Sequence, residues 1–215
     1  MRPRDKRKRR ARREARSLLL LATEHVTIDS IIQCGLGDWA EGPTLLKMYP
    51  SASYLAVEPI HRYCHETWAA GFRGPIIQGL LWNETGLEKT LNDWRTRTSV
   101  YDESQHGLGP ITAYTVTLDD AVERTAFRGK SILLWMDVEG AELEILKGAG
   151  ETLKSVQSII SELKKGTKFP GWPEAEEVVS FLLSIGFELK ETIRCNGVFV
   201  RKQSKDIDSR PLLQD

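Results

Sequence analysis

Short apolar runs bounded by glycine, proline or acidic residues recur along this chain, and between them apolar residues return at helical spacing. Val26–Cys34 alternates and then runs apolar through Ile28, Ile31 and Ile32, which predicts a buried strand. Tyr54–Val57 predicts a second strand and Pro75–Leu81 a third. Weaker strand patterns, Gly86–Leu91 and Thr112–Thr117, flank a polar, glycine-containing loop at Ser99–Gly109. Ser131–Met136, reading SILLWM, is the most apolar run and predicts a central strand, and Val156–Leu163 predicts another. Helices are predicted between them. Ser17–Glu24 reads as the end of one, and Pro43 suits the first turn of the next, whose apolar face carries Leu45, Leu46 and Met48. Ile60–Ala70 forms a third, closed by Gly71. Leu118–Arg124 begins with Asp119 and Asp120, favourable near a helix's positive end. A further helix carries Leu143, Ile145 and Leu146 and ends at Gly148, and Glu174–Ser184 is amphipathic. Gly186–Lys190 and Gly197–Arg201 predict a closing antiparallel hairpin.

Strands alternating with helices predict an α/β fold: a mostly parallel, doubly wound, seven-stranded sheet with helices on both faces and a C-terminal antiparallel strand pair. The chain has 215 residues, enough for one such domain, and no internal repeat marks a second. The expected organisation is a basic arm over 1–16, a domain over 17–202 and a loose tail over 203–215.

The formal net charge of zero hides an asymmetry. Residues 1–16 hold ten Lys or Arg against Asp5 and Glu14, an excess of eight positive charges that the rest of the chain must offset. Such a block repels itself and predicts a mobile arm or a solvated helix. It can be a solubilising tail, an arm that binds RNA, DNA or another polyanion through residues 2–16, or a targeting signal. No apolar run approaches the roughly 20 residues needed to cross a membrane, and Leu18–Ala22 is too short for a signal-peptide core. Cys34, Cys64 and Cys195 are odd in number and widely spaced, which predicts no disulfide framework and fits a reducing, cytoplasmic compartment.

Open α/β sheets bind ligands at the carboxyl ends of their strands, where the winding reverses. The first predicted strand ends in Gln33-Cys34-Gly35-Leu36-Gly37-Asp38, and Glu58 ends the second. Gly35 and Gly37 permit a tight turn and close approach of backbone to ligand. An acid at the spacing of Glu58 can accept hydrogen bonds from ribose hydroxyls. Nicotinamide-dependent enzymes use the same geometry, and a plain turn followed by a chance acid mimics it. Only two of the three customary glycines are present, however, and Glu41 at the start of the next helix would repel a pyrophosphate. The pattern therefore favours a nucleoside ligand without phosphates, of which S-adenosylmethionine is the common one.

Asp137, Glu139 and Glu142 crowd the end of the most apolar strand around Gly140, which suits a site better than a fold requirement. One of the three can instead cap the following helix. This segment, Asp137-Val138-Glu139-Gly140-Ala141-Glu142 followed by Leu146-Lys147-Gly148, closely resembles the signature of the FkbM family of S-adenosylmethionine-dependent methyltransferases. Weaker collinear matches run over about 28–202: Ile31–Gly37, Val57-Glu58-Pro59, Leu80-Leu81-Trp82-Asn83, Thr117-Leu118-Asp119-Asp120 and Ile159–Glu162. Gln33 departs from the acid frequent in the family, as does Trp135 from its frequent lysine.

The resemblance implies a Rossmann-like class I methyltransferase fold and O-methylation of a small-molecule or sugar hydroxyl. It implies cofactor contacts from Gln33, Gly35, Gly37, Glu58, Pro59, Leu80 and Asp137. On the acceptor side the candidates are Asp137, Glu139 and Glu162, with Lys164 as an electrostatic helper. No metal is assigned. A divalent ion on Asp137 and Glu139 would activate the acceptor hydroxyl but lacks a third ligand. His61 and His65, one turn apart, read as a base, an adenine contact or, more simply, surface residues. Trp68, Trp82, Trp94 and Trp172 read as core or lid, and acceptor specificity falls to Asn92–Pro110. Two functions of different class result: a small-molecule or carbohydrate O-methyltransferase with an incidental arm, and a methyltransferase-like domain that docks to or methylates nucleic acid through its arm.

Overall fold

The computed structural model describes residues 3–92, 98–101, 109–125, 127–163 and 171–203, with side chains from residue 6 onward. Seven strands form one sheet: β1 (Ser30–Cys34), β2 (Ser53–Glu58), β3 (Ile76–Gln78), β7 (Ile132–Met136), β8 (Val156–Glu162), β9 (Phe187–Ile193) and β10 (Asn196–Arg201). Their order is β3-β2-β1-β7-β8-β10-β9. All pairings from β3 through β8 are parallel, and β10 inserts antiparallel between β8 and β9. This is the expected fold class.

β1 and β7 are buried along their whole length, which is why their apolar runs are continuous. Their side chains divide between two layers. Ile32, Cys34, Leu134 and Met136 enter a core shared with Leu118 and Ala121 of α4 (Leu118–Arg124), Ile145 and Leu146 of α5 (Glu142–Lys147), and Val178 and Leu182 of α6 (Ala175–Ser184). On the other face Ile31, Leu133 and Trp135 meet Leu45 of α2 (Gly42–Met48) and Ala15, Leu18, Leu19 and Ala22 of α1 (Pro3–Ala22).

α1 changes the picture of the N-terminus. Where the charge pattern predicts an arm or solvated helix over 1–16, one helix runs from Pro3 to Ala22. Its last two turns are core, because Leu18 and Leu19 are completely enclosed. Its first turns lie over the β1–α2 loop, where Arg7 pairs with Asp38 and the Arg12 carbonyl accepts a hydrogen bond from Thr44 Oγ1.

The segment predicted as a single strand over Pro75–Leu81 divides. β3 joins the main sheet, whereas β4 (Leu80–Leu81) pairs parallel with β6 (Pro110–Val116) in a separate three-stranded sheet. β6 pairs antiparallel with β5 (Glu88–Asn92). Leu80, Leu91 and Ala113 of this small sheet pack with Ile60 and with Tyr63 of α3 (His61–Ala69). Among the described residues no helix is long and apolar enough to cross a membrane. All three cysteines are free thiols.

Candidate functional site

The winding of the main sheet reverses between β1 and β7, and their carboxyl ends open onto a cavity of about 320 Å³. That volume suits a nucleoside-sized ligand. Two strand ends are held together there by backbone contacts. The Asp137 N–H donates to the Cys34 carbonyl at 3.1 Å, and the Gly35 N–H donates to the Val57 carbonyl at 2.9 Å. Gly35 adopts φ +78°, and a Cβ at that position would lie 2.2 Å from the Asp137 carbonyl oxygen. Glycine is thus what allows the first loop to lie against the second.

Glu58 ends β2, is buried, and lines this cavity. Its Oε2 accepts hydrogen bonds from the N–H groups of Leu36 (2.7 Å) and Gly37 (3.3 Å), and its Oε1 accepts from Ile60 N–H (2.9 Å). Burial raises its pKa, and the three backbone donors oppose that shift. A carboxylate has about four acceptor positions, so with three taken one remains for a ribose hydroxyl. Pro59 and Leu80 complete this part of the wall.

At the other side Asp137, Glu139 and Glu162 place carboxylate oxygens within 4.8 Å of one another. All three line the cavity. Glu162 is far from the other two in sequence and arrives by the parallel pairing of β8 with β7. Three oxygen donors this close could together hold a divalent cation, so the third ligand missing from the sequence pattern is supplied by the fold. Glu139 has φ +51°, and its carbonyl accepts a hydrogen bond from Ser99 Oγ at 2.8 Å, which braces the strained turn. Gly140 follows at φ +103°, with the Trp172 ring where a Cβ would be. Glu142 instead starts α5 and is buried away from the cavity wall.

Gln33 is completely buried and stands behind the wall. Its Oε1 accepts from Trp39 Nε1 (2.8 Å), and its Nε2 donates to Glu41 Oε1 (3.0 Å). Glu41 does line the cavity, although the sequence pattern marks it only as a deterrent to phosphate. Arg7, Ala11, Tyr63, Thr98 and Val100 also line it and carry no motif that singles them out.

His61 and His65 are exposed on α3, outside the cavity lining. Trp68 is 67% exposed, whereas Trp82 is buried and, like Trp172, packs against Tyr101. Trp135 belongs to the core beneath α1. Lys164 and Trp94 lie outside the described residues, as does most of Asn92–Pro110. The described part of that segment reaches the site through Thr98 and Val100.

The strand order and the reversal point define a doubly wound α/β fold, and the cavity lies where such folds bind ligands. Residues 30–189 match the methyltransferase FkbM domain, and the chain belongs to that family. It is 24% identical over 178 residues to 2-O-methyltransferase NoeI of Sinorhizobium fredii (strain NBRC 101917 / NGR234), covering 74% of this chain and 72% of the relative. Among solved structures it is similar to N-methyltransferase NodS from Bradyrhizobium japonicum WM9 in complex with S-adenosyl-L-homocysteine. That likeness has 12% identity and a TM-score of 0.48, and covers 89% of this chain and 87% of NodS.

Proposed function

We propose that this chain transfers the methyl group of S-adenosylmethionine to a hydroxyl oxygen of a small molecule or sugar. The observation that carries this reading is the convergence of two strand-end motifs on one cavity. The glycine turn and Glu58 line one side, and the carboxylates of Asp137, Glu139 and Glu162 line the other. The residues present fit the cofactor. Glu58 keeps an acceptor position for a ribose hydroxyl at the wall, and Glu41 disfavours a phosphorylated nucleotide. NoeI, a 2-O-methyltransferase, supports oxygen as the acceptor atom.

When bound, the cofactor supplies an activated methyl on a sulfonium. The chain's own contribution is to hold an acceptor oxygen in line and take its proton. Asp137 accepts that proton, and Glu139 and Glu162 orient the hydroxyl. Binding is tested by calorimetry with S-adenosylmethionine on wild type and Glu58→Ala. Wild type should bind, and the variant should bind about tenfold or more weakly, since a charge-assisted hydrogen bond is lost. Absence of binding by a folded wild type at millimolar cofactor would sink the reading.

A second reading, nucleic acid as the acceptor or docking partner, is favoured by one observation. α1 exposes Arg9, Arg10, Arg12, Arg13 and Arg16, and the same helix lines the cavity through Arg7 and Ala11. Affinity for RNA and DNA at low salt tests it.

A further inference from the structure

We propose that Glu41 receives the α-ammonium group of the cofactor's methionine moiety, standing in for an acid on β1 itself. This rests on the S-adenosylmethionine reading above. β1 ends in Gln33, an amide whose orientation leaves no freedom: the Trp39 indole N–H occupies its oxygen, so its NH₂ must face Glu41. Gly42 permits that arrangement, because a Cβ there would lie 2.0 Å from the Trp39 ring. The chain Trp39–Gln33–Glu41 therefore presents a carboxylate at the cavity wall beside Gly37 and Asp38. Accepting the Gln33 amide hydrogen and its own backbone N–H leaves that carboxylate acceptor capacity for an ammonium group.

Charges of both signs surround Glu41. Asp38 from the same loop disfavours ionised Glu41, Lys8 of α1 favours it, and Arg7 of α1 is paired with Asp38. Burial outweighs the rest and pushes the Glu41 pKa up to about 7. A ligand ammonium would hold Glu41 ionised, so binding should release a proton near neutrality and strengthen as pH rises through about 7.

The test is calorimetry on the full chain, wild type and Glu41→Gln, with two ligands. S-Adenosylhomocysteine carries the ammonium, and 5′-methylthioadenosine keeps the nucleoside and sulfur but lacks it. Glu41→Gln should weaken S-adenosylhomocysteine about tenfold or more at pH 8 while leaving 5′-methylthioadenosine within about twofold. Wild-type affinity for S-adenosylhomocysteine should rise from about pH 6 to 8, and that rise should vanish in the variant. Equal S-adenosylhomocysteine affinity in both proteins, or parallel loss of both ligands, would overturn the assignment. If folded wild type binds neither ligand, the cofactor reading fails and the assignment falls with it.

Discussion

Two glycines with nearly the same backbone angle show how differently single residues bear on this site. Gly35 has φ +78° and no room, since a Cβ would meet the Asp137 carbonyl oxygen at 2.2 Å. Gly86 has φ +91° and nothing within 4 Å. Alanine at Gly86 should cost about 1 kcal/mol, the strain of a left-handed alanine. Alanine at Gly35 adds a backbone clash that no rotamer relieves and should cost about 3 kcal/mol or more, with loss of cofactor binding. Urea melts of both variants check the difference, and equal costs would mean that the two strand ends move apart freely. Gly35, Gly37 and Glu58 are legible in the sequence, because the spacing of glycines and acids marks them. Glu41 is not, because nothing local distinguishes a carboxylate starting an exposed helix from one turned onto a buried glutamine.

At the scale of elements, α1 joins two roles that the charge pattern separates. Ala15, Leu18, Leu19 and Ala22 are core, and Arg7 and Ala11 line the cavity. Removing residues 1–16 would therefore open the site as well as delete the charges. Reversing Arg9, Arg13 and Arg16 to glutamate is the cleaner change, since all three side chains are exposed. If the basic face docks nucleic acid, the triple variant should lose about tenfold or more in RNA affinity at low salt while its cofactor binding stays unchanged. Unchanged RNA affinity would leave the small-molecule reading standing alone. The helix over 3–22 is only partly legible in the sequence, because dense like charge argues against order, whereas the stabilising contacts come from two turns further on.

At the scale of the whole molecule, the acid cluster is a product of sheet order. Asp137 and Glu139 follow β7, Glu162 ends β8, and the parallel register sets these strand ends side by side. Asp137→Asn keeps the shape and removes the proposed proton acceptor, so on that proposal turnover should fall by about 10²-fold or more while cofactor affinity stays within about threefold. A methyl-transfer assay beside calorimetry separates these effects, and full activity would remove Asp137 from the chemistry. The small sheet β4-β6-β5 also belongs to this scale. The run Pro75–Leu81 reads as one strand because apolarity carries no information about partners, yet its two halves pair with different sheets.

Local rules thus account for the alternation of strands and helices, the parallel fold class, and the two strand-end motifs, because period, glycine turns and crowded acids are properties of neighbours in the chain. Only the tertiary structure brought Glu162 to Asp137, Glu41 to Gln33, and α1 over the cavity. Those contacts join residues from separate elements, and the burial that forces them together exists only once the sheet is assembled.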